Sequence, residues 1–221
     1  RWSLATPWRE PQPSPTEAAH ARFLQLLERH GVLTREAVRG EGAPGGFAAV
    51  YPVLRALEEA GRIRRGYFVA GMGGAQFALP GAVDRLRSFR DAGSDDAPEA
   101  VEVTVLAATD PAQAYGAALP WPDPALPGSG RPARAAGAYV VLVGGEPAAY
   151  LERGGRSLVT FPAAGAHPAW VEGLATVVKD GFARKLELVR IDGGPARESP
   201  WAGALRSTGF ADSYRGLVLR G

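Results

Sequence analysis

The 221-residue chain contains no cysteine, and that absence removes several classes of protein. A disulfide scaffold needs paired cysteines and most structural zinc sites need thiolates, so neither is expected. The three histidines lack metal-ligand spacing, so we expect no metal and no cofactor in this chain. A chain without cysteine also fits the reducing cytoplasm, where we expect the protein to act.

Long apolar runs, strong charge and nucleotide motifs are missing as well. No apolar run reaches the ~20 residues that cross a bilayer, so no membrane partner is expected. The formal net charge of +2 is weak for a dedicated nucleic-acid binder, while an apolar content of 46% excludes a disordered chain. The glycine-rich stretches lack the Lys-Ser/Thr of a phosphate loop, and there is no G-x-S-x-G elbow. ATP hydrolysis by this chain alone and serine hydrolysis are therefore excluded.

The order of a winged helix is present between Pro44 and Arg87. Apolar side chains recur at helical spacing from about Phe47 to Ala60, so one face of this helix must be buried. We place Pro52 in its first turn and Gly61 at its end. The hairpin follows as an arginine-rich run at 62–69, a glycine turn at 71–74 and a second strand at 76–79. Helix followed by hairpin is the layout of a recognition helix and its wing.

Two further helices are predicted upstream of the recognition helix. Ser14 and Glu17 have the spacing of a capping box, and Pro15 stands between them at the first helical position. Gly31 ends this helix, and Thr34 can cap a short second one. The first part of the chain thus has the three helices that a winged-helix domain needs.

A break in the chain is predicted at the acidic, small residues Asp91 to Glu99, which carry no apolar periodicity. It divides the chain into a domain of residues 1–92 and a domain of residues 93–221. Beyond the break the pattern is that of β-strands, three of them consecutive and antiparallel, with Gly154-Gly155 as a two-residue hairpin connection. One main helix is predicted from His167 to Lys179. The predicted fold class is therefore α+β.

The exposed face of the recognition helix has few side chains that read DNA bases. It offers one cation, Arg55, one anion, Glu59, and small residues, whereas base reading in the major groove uses Arg, Lys, Asn or Gln. Arg62, Arg64 and Arg65 in the wing can instead hold phosphates, which is independent of sequence. The alternative is that the winged helix is a packing or oligomerisation module.

The long connection from Asp110 to Ala136 is the candidate site of the second domain. Asp110 directly follows a strand end, where a carboxylate can act as a base. The loop also carries two rings, Tyr115 and Trp121, and two cations, Arg131 and Arg134. Such a loop predicts a pocket for a base or a phosphate, and the alternative is an Asp-Pro turn whose side chain caps its own loop. Arg153 and Arg156 flank a hairpin tip, where their side chains can either be solvated or contact a phosphate.

Several strings of the sequence resemble the C-terminal region of Lhr, the large helicase-related protein of superfamily 2. These strings are GGFAAVYPVLRALEEAGRIRRGYFVAG, AQFALPGAVDRLR, LAATDPAQAYGAALPWP, RPARAAGAYVVLVGG and YLERGGR. In that family a helicase core precedes winged-helix modules and a β-barrel-like module. The resemblance therefore implies that a winged helix is followed here by a small antiparallel β-barrel-like domain, and that the chain is part of a longer protein.

The resemblance also implies a function in DNA repair. The parent protein would bind and hydrolyse ATP as a helicase, and this segment would bind single-stranded or lesion-containing DNA beside the rest of the helicase chain. The assembly is distantly similar to AlkZ-type DNA glycosylases, so an alternative is a module that removes uracil or another damaged base with Asp110 as the catalytic carboxylate. A third alternative is a scaffold that joins protomers of a homo-oligomer.

Overall fold

The computed structural model describes residues 13–91 and 101–221. Contacts divide the chain into two compact units, Arg1–Asp96 and Ala97–Gly221. Most of the predicted break, residues 92–99, lies outside the described residues. Separate folding of the two halves, with a boundary at residues 92 and 93, therefore stays a prediction.

The first unit contains the predicted helices and hairpin. Its elements are α1 (Pro15–His30), β1 (Val32–Leu33), α2 (Arg35–Gly40), α3 (Gly46–Glu59), β2 (Arg64–Gly66), β3 (Gln76–Ala78) and α4 (Pro80–Asp91). The three strands form an antiparallel sheet in the order β1-β3-β2. Helix α3 is the recognition helix, and the β2–β3 hairpin is the wing.

Local signals explain where the first helices begin. The Ser14 hydroxyl accepts a hydrogen bond from the Glu17 N–H at 3.2 Å, and the Ser14 N–H donates to the Glu17 carboxylate at 2.8 Å, which is the predicted capping box. The Thr34 hydroxyl accepts from the Ala37 N–H at 3.1 Å and caps α2. The core of the unit is apolar and includes Phe23, Leu26, Leu27, Val38, Val50, Leu54, Leu57 and Phe77.

Three expectations for this unit are wrong. Pro52 lies inside α3 rather than in its first turn, because the helix begins at Gly46, six residues earlier. The proline ring is exposed, and the Ala48 carbonyl that loses its partner belongs to an exposed residue. The wing strand ends at Gly66, well before the predicted run ends. Helix α4 was not predicted, since few of its side chains are apolar and buried.

The second unit is a mixed α/β structure built on two sheets. Its elements are β4 (Val103–Ala107), β5 (Tyr139–Val143), β6 (Glu146–Leu151), β7 (Ser157–Thr160), α5 (Pro162–Ala166), α6 (Trp170–Lys179), β8 (Lys185–Leu188), β9 (Arg190–Ile191), β10 (Gly194–Pro195), a 3₁₀ turn (Ala196–Glu198), α7 (Ala202–Ser207), β11 (Ala211–Asp212) and β12 (Leu217–Arg220). One sheet has the order β10-β9-β7-β6-β5-β4, and the other β11-β12-β8.

The β-barrel that the resemblance implies is not supported, because both sheets formed by the described residues are open. Helix α6 covers the face on which an opposite wall would have to close. It packs so tightly that a Cβ at Gly173 would lie 3.2 Å from a Val141 methyl carbon and closer still to Val103. The strands are not all antiparallel either, since β7 pairs with β9 in parallel.

From Lys185 to Ile191 the sequence predicts a single strand, but the structure divides this segment between two sheets. Val189 separates β8 from β9, and the N–H groups of Val189 and Arg190 both donate to the Arg156 carbonyl. The hairpin predicted at Gly154-Gly155 is present with positive φ at both glycines, but residues 152–156 separate β6 from β7, so the connection is longer than two residues. Gly144-Gly145 also has positive φ at both residues, as a primed turn requires, and it joins β5 to β6.

Each face of the six-stranded sheet is covered. Helix α6 and the second sheet contribute to the larger apolar cluster, which includes Trp170 and Leu174. A smaller cluster centred on Tyr150 and Phe161 lies apart from it, and Trp121 from the long connection packs against this cluster. None of the described helices has the length and apolar character to span a membrane.

Candidate nucleic-acid interface

The exposed face of α3 has no free cation among the described residues. Arg55 is its only exposed cation, and its Nε lies 2.8 Å from a carboxylate oxygen of Glu59 one turn later. This hydrogen bond is the main reason that the pKa of Arg55 is raised. The other exposed residues, Ala48, Ala49 and Pro52, have no side-chain donors. The helix therefore presents almost nothing that can read a base edge.

The three wing arginines differ in whether they already form ion pairs or hydrogen bonds with other residues. Arg65 is paired, because its Nε lies 3.2 Å from the Glu58 carboxylate and its guanidinium also contacts the Tyr51 hydroxyl at 3.4 Å. Arg62 and Arg64 are exposed and make no ion pair with any described residue. These two guanidinium groups are therefore free to contact an anion.

The wing loop is held by one buried amide that the sequence analysis did not single out. Gln76 is fully buried, and its carbonyl oxygen accepts from the N–H groups of Phe68 and Val69, both at 2.8 Å. Its amide nitrogen donates to the carbonyls of Val69, Met72 and Gly73 at 3.0 to 3.3 Å. The side chain thus takes the place of a strand partner, which explains why β2 ends at Gly66.

Tyr67 is a second wing residue that the analysis placed in a strand without assigning it a role. Its side chain follows β2 and is 85% exposed. A sequence signal was available, because glycines at 66, 71, 73 and 74 surround two consecutive aromatic residues. Of this aromatic pair, Tyr67 is exposed and Phe68 is half-buried.

In the second unit, Asp110 is engaged by its own loop. One carboxylate oxygen of Asp110 accepts from the Ala112 N–H at 2.8 Å, and the Asp110 carbonyl accepts from the Gln113 N–H at 3.0 Å. This is the Asp-Pro turn that the sequence offered as the alternative to a catalytic carboxylate. A catalytic role for Asp110 is untested.

Arg134 and Gln113 fix the path of the long connection. The Arg134 guanidinium donates to the backbone carbonyls of Gln113, Thr109 and Asp110, the last two at 3.3 and 3.0 Å. Gln113 is buried, and its amide bonds to the backbone of Tyr115 and Ala108. Most of the N–H donors of Arg134 are therefore already used in hydrogen bonds to the backbone, which leaves few of them for DNA.

The two predicted stacking rings belong to an aromatic cluster. Trp121 stacks on Phe161 with centroids 6.2 Å apart, meets Tyr150 edge-on at 5.6 Å and stacks on Tyr115 at 6.1 Å. The Tyr115 hydroxyl donates to the Gly145 carbonyl at 3.1 Å, and burial raises the pKa of Tyr115. Both rings thus anchor the long connection to the sheet.

A cleft of about 570 Å³ lies next to this cluster. The loop segment from Trp121 to Pro132 forms its lining, which includes one carboxylate, Asp123, and one guanidinium, Arg131. Both charged residues are exposed, whereas Trp121 is half-buried. Asp110 and Tyr115 are not part of the lining. Of the predicted residues of this loop, Trp121 and Arg131 therefore face this cleft.

The remaining predicted cations do not line the cleft. Arg153 and Arg156 are exposed in the connection between β6 and β7. The described residues also contain no group of three or more acidic or histidine side chains suited to a metal ion.

Residues 12–98 match the winged-helix domain of the large helicase-related protein. Over its whole length the chain is 47% identical to the "Lhr helicase/probable uracil glycosylase" of Mycolicibacterium smegmatis, and over 98% of its length 37% identical to the "Lhr helicase/uracil glycosylase" of Escherichia coli. It spans 15% and 14% of these relatives. The predicted resemblance to Lhr is thus confirmed, and the chain carries the winged-helix domain of this family.

Proposed function

We propose that this chain is a DNA-binding segment of a cytoplasmic, Lhr-type, ATP-dependent DNA repair helicase and that its wing holds DNA without reading its sequence. The observation that carries the proposal is the contrast between the two free guanidinium groups of Arg62 and Arg64 and the recognition helix, whose one exposed cation is paired with Glu59. The rest of the helicase chain would supply ATP binding and hydrolysis.

Contacts of this kind make affinity depend on salt rather than on sequence. Each guanidinium that neutralises a phosphate releases condensed counterions, so the logarithm of the affinity falls linearly with the logarithm of the salt concentration. Base-edge contacts would instead give a preferred sequence. The slope of the salt dependence therefore reports the number of phosphate contacts.

The first prediction concerns the double variant Arg62→Ala/Arg64→Ala. For duplex DNA the salt slope should become shallower by about 1.8, because each lost phosphate contact removes about 0.9. Fluorescence anisotropy at several salt concentrations measures it. Arg22→Ala/Arg39→Ala is the matched control, since it removes two exposed arginines of the same unit that make no ion pair with the described residues, and it causes the same change in net charge.

Two results would contradict this proposal. An equal loss of slope in the control would mean that only the total charge matters. A strong preference for one duplex sequence would show that bases are read. The single variant Arg65→Ala should change the salt slope less than Arg62→Ala or Arg64→Ala does, because Arg65 already has Glu58 as its partner.

The second candidate function is removal of uracil or another damaged base. It is supported by the names of both relatives and by the cleft, which combines a ring, a carboxylate and a cation. Base excision needs an extruded base to be enclosed and a carboxylate to activate water or stabilise the sugar cation. In the cleft these groups are Trp121 and Asp123, with Arg131 for a phosphate.

The second prediction separates the cleft from the strand end. If the cleft excises a base, Asp123→Asn should lower the cleavage rate of uracil-containing oligonucleotides by about 100-fold or more, as loss of an acid–base group does, while Asp110→Asn retains activity. Separation of alkali-treated products on a gel measures the rate. Loss of activity only in Asp110→Asn would favour the strand-end carboxylate, and an inactive wild-type chain would exclude both.

The oligomerisation scaffold stays a prediction. It would require a second copy on the winged helix, so the sedimentation of the chain would depend on concentration. Arg62→Ala/Arg64→Ala should not alter this dependence of sedimentation on concentration, since we propose that these two arginines contact DNA phosphates.

A further inference from the structure

Tyr67 is held in the wing in a way that packing alone does not explain. Its side chain is 85% exposed, and its hydroxyl makes no hydrogen bond with the described residues. Burying a large apolar side chain stabilises a protein by about 1.5–3 kcal/mol, and here most of this gain is forgone. Of the large apolar or aromatic side chains described, only Tyr214 in the other unit is more exposed.

Glycines let the rings of the wing lie close to its backbone. A Cβ placed on Gly74 would be 3.5 Å from the Tyr67 hydroxyl oxygen and 3.9 Å from its Cε1. A Cβ on Gly66 would be 3.0 Å from Cζ of Phe68. The outer end of the Tyr67 ring therefore lies near Gly74, while most of its surface faces solvent. A ring with an open surface is suited to stacking.

The wing that carries this ring is ordered before any ligand binds. The five hydrogen bonds of buried Gln76 tie residues 68–73 to β3, directly after Tyr67. Ordering a loop on binding costs free energy, and a loop that is already fixed avoids this cost. The bonds of Gln76 thus position the residue next to them for recognition.

Cations flank the ring on the strand that leads to it. Arg64 lies three residues before Tyr67 and makes no ion pair with the described residues, whereas Arg65, two residues before Tyr67, is paired with Glu58. Successive side chains of a strand alternate between its faces, so the strand presents the unengaged guanidinium of Arg64 on one face only. A ring beside guanidinium groups is the combination that proteins use for single strands, with cations for the backbone and rings for the bases.

We propose that Tyr67 stacks on an unpaired DNA base, so that the wing prefers single-stranded DNA or a strand that leaves a duplex. Inside a duplex both faces of each base are covered by neighbouring base pairs, and only an unpaired base or an end offers a free face to a ring. The inference rests on the proposed function, since the arginines must hold the backbone for the ring to meet a base.

The experiment compares two DNA molecules and three variants of the 221-residue chain. Anisotropy gives the affinity for a blunt duplex and for one of its strands alone. Tyr67→Ala should weaken binding to the single strand by about 5- to 150-fold, the loss of one base stack, and change duplex binding by less than about 2-fold. Tyr67→Phe should keep wild-type affinity, since stacking needs the ring and not the hydroxyl. Tyr214→Ala, which removes the other highly exposed tyrosine, is the matched control.

The salt slope separates failure of this inference from failure of the proposed function. Tyr67→Ala removes no charge, so its slope should equal that of the wild-type chain. If Arg62→Ala/Arg64→Ala flattens the slope while Tyr67→Ala binds both DNAs normally, the stacking inference is wrong and the phosphate role stands. If the wild-type chain binds neither DNA, both are wrong.

Two further outcomes would overturn the inference. If Tyr67→Ala lowered the affinity for duplex and single-stranded DNA equally, the ring would support the structure of the wing rather than stack on a base. Normal DNA binding together with reduced self-association would assign Tyr67 to a protein interface. Thermal unfolding of Tyr67→Ala should match the wild-type curve, because the side chain is exposed.

Discussion

At the scale of single residues, Gln76 and Asp110 show how a polar side chain can replace backbone pairing. The Gln76 amide occupies the position that a neighbouring strand would fill, and the Asp110 carboxylate closes a turn on Ala112. Asp110 could be read from the sequence because Asp-Pro after a strand is a common turn. Gln76 could not, since nothing in an isolated glutamine indicates that it will be buried.

The prediction at this scale is that Gln76→Leu lowers the free energy of unfolding of the first unit by about 1–3 kcal/mol. The leucine fills the space, but the N–H groups of Phe68 and Val69 lose their acceptor, and buried unpaired donors are costly. Urea unfolding followed by circular dichroism measures the change. Gln25→Leu, at an exposed position of α1, is the control and should have little effect.

The wing arginines illustrate a second limit of sequence reasoning at the residue scale. Arg62, Arg64 and Arg65 are equivalent as letters, and all three were assigned to phosphates. Only the structure shows that Arg65 reaches Glu58, because that pair joins β2 to α3 across a tertiary contact. Which of several arginines is free depends on packing that no local pattern encodes.

At the scale of elements, the sequence predicted best where a local signal determines an end. The capping box at Ser14 and the cap at Thr34 were found because hydrogen bonds within four residues specify them, and the recognition helix was found from its apolar periodicity. Helix α4 was missed because few of its side chains are apolar, although Val83, Leu86 and Phe89 recur three residues apart. This spacing is the local signal that could have predicted the helix.

The long connection shows how much of a candidate site can be predicted from a single element. Its length and composition predicted a functional surface, and the structure does contain a cleft there. The residues that line it were only partly predicted, since Trp121 and Arg131 do so while Tyr115 and Arg134 anchor the loop. Whether a ring or a cation faces in or out depends on contacts with β-strands far away in sequence.

At the scale of the whole molecule, topology was the least predictable feature. Alternating apolar residues predict strands but not their order, and the barrel that the resemblance implies was inferred without knowledge of what covers the sheet. Gly173 allows this helix to cover the sheet, because the lack of a side chain lets α6 lie against Val103 and Val141. A helix at that distance takes the place of a second sheet wall.

The whole-molecule prediction is that the two halves unfold independently. The described residues of each unit have their own apolar core, and the residues from Asp91 to Glu99 have no apolar periodicity that would require burial. Exposed acidic connections are preferred sites of proteolysis. A protease that cleaves after acidic residues should therefore cut first at Asp91, Asp95, Asp96 or Glu99, and mass spectrometry of the early fragments identifies the bond.

Independent unfolding also has a thermodynamic signature that proteolysis alone does not provide. Gln76→Leu should shift only one of two calorimetric transitions, because the bonds it removes lie within the first unit. A single transition that moves as a whole, with no early cleavage between residues 91 and 99, would show that the halves form one cooperative domain. In that case Gln76→Leu would lower the melting temperature of both halves together, because one cooperative transition would include the wing and the cleft.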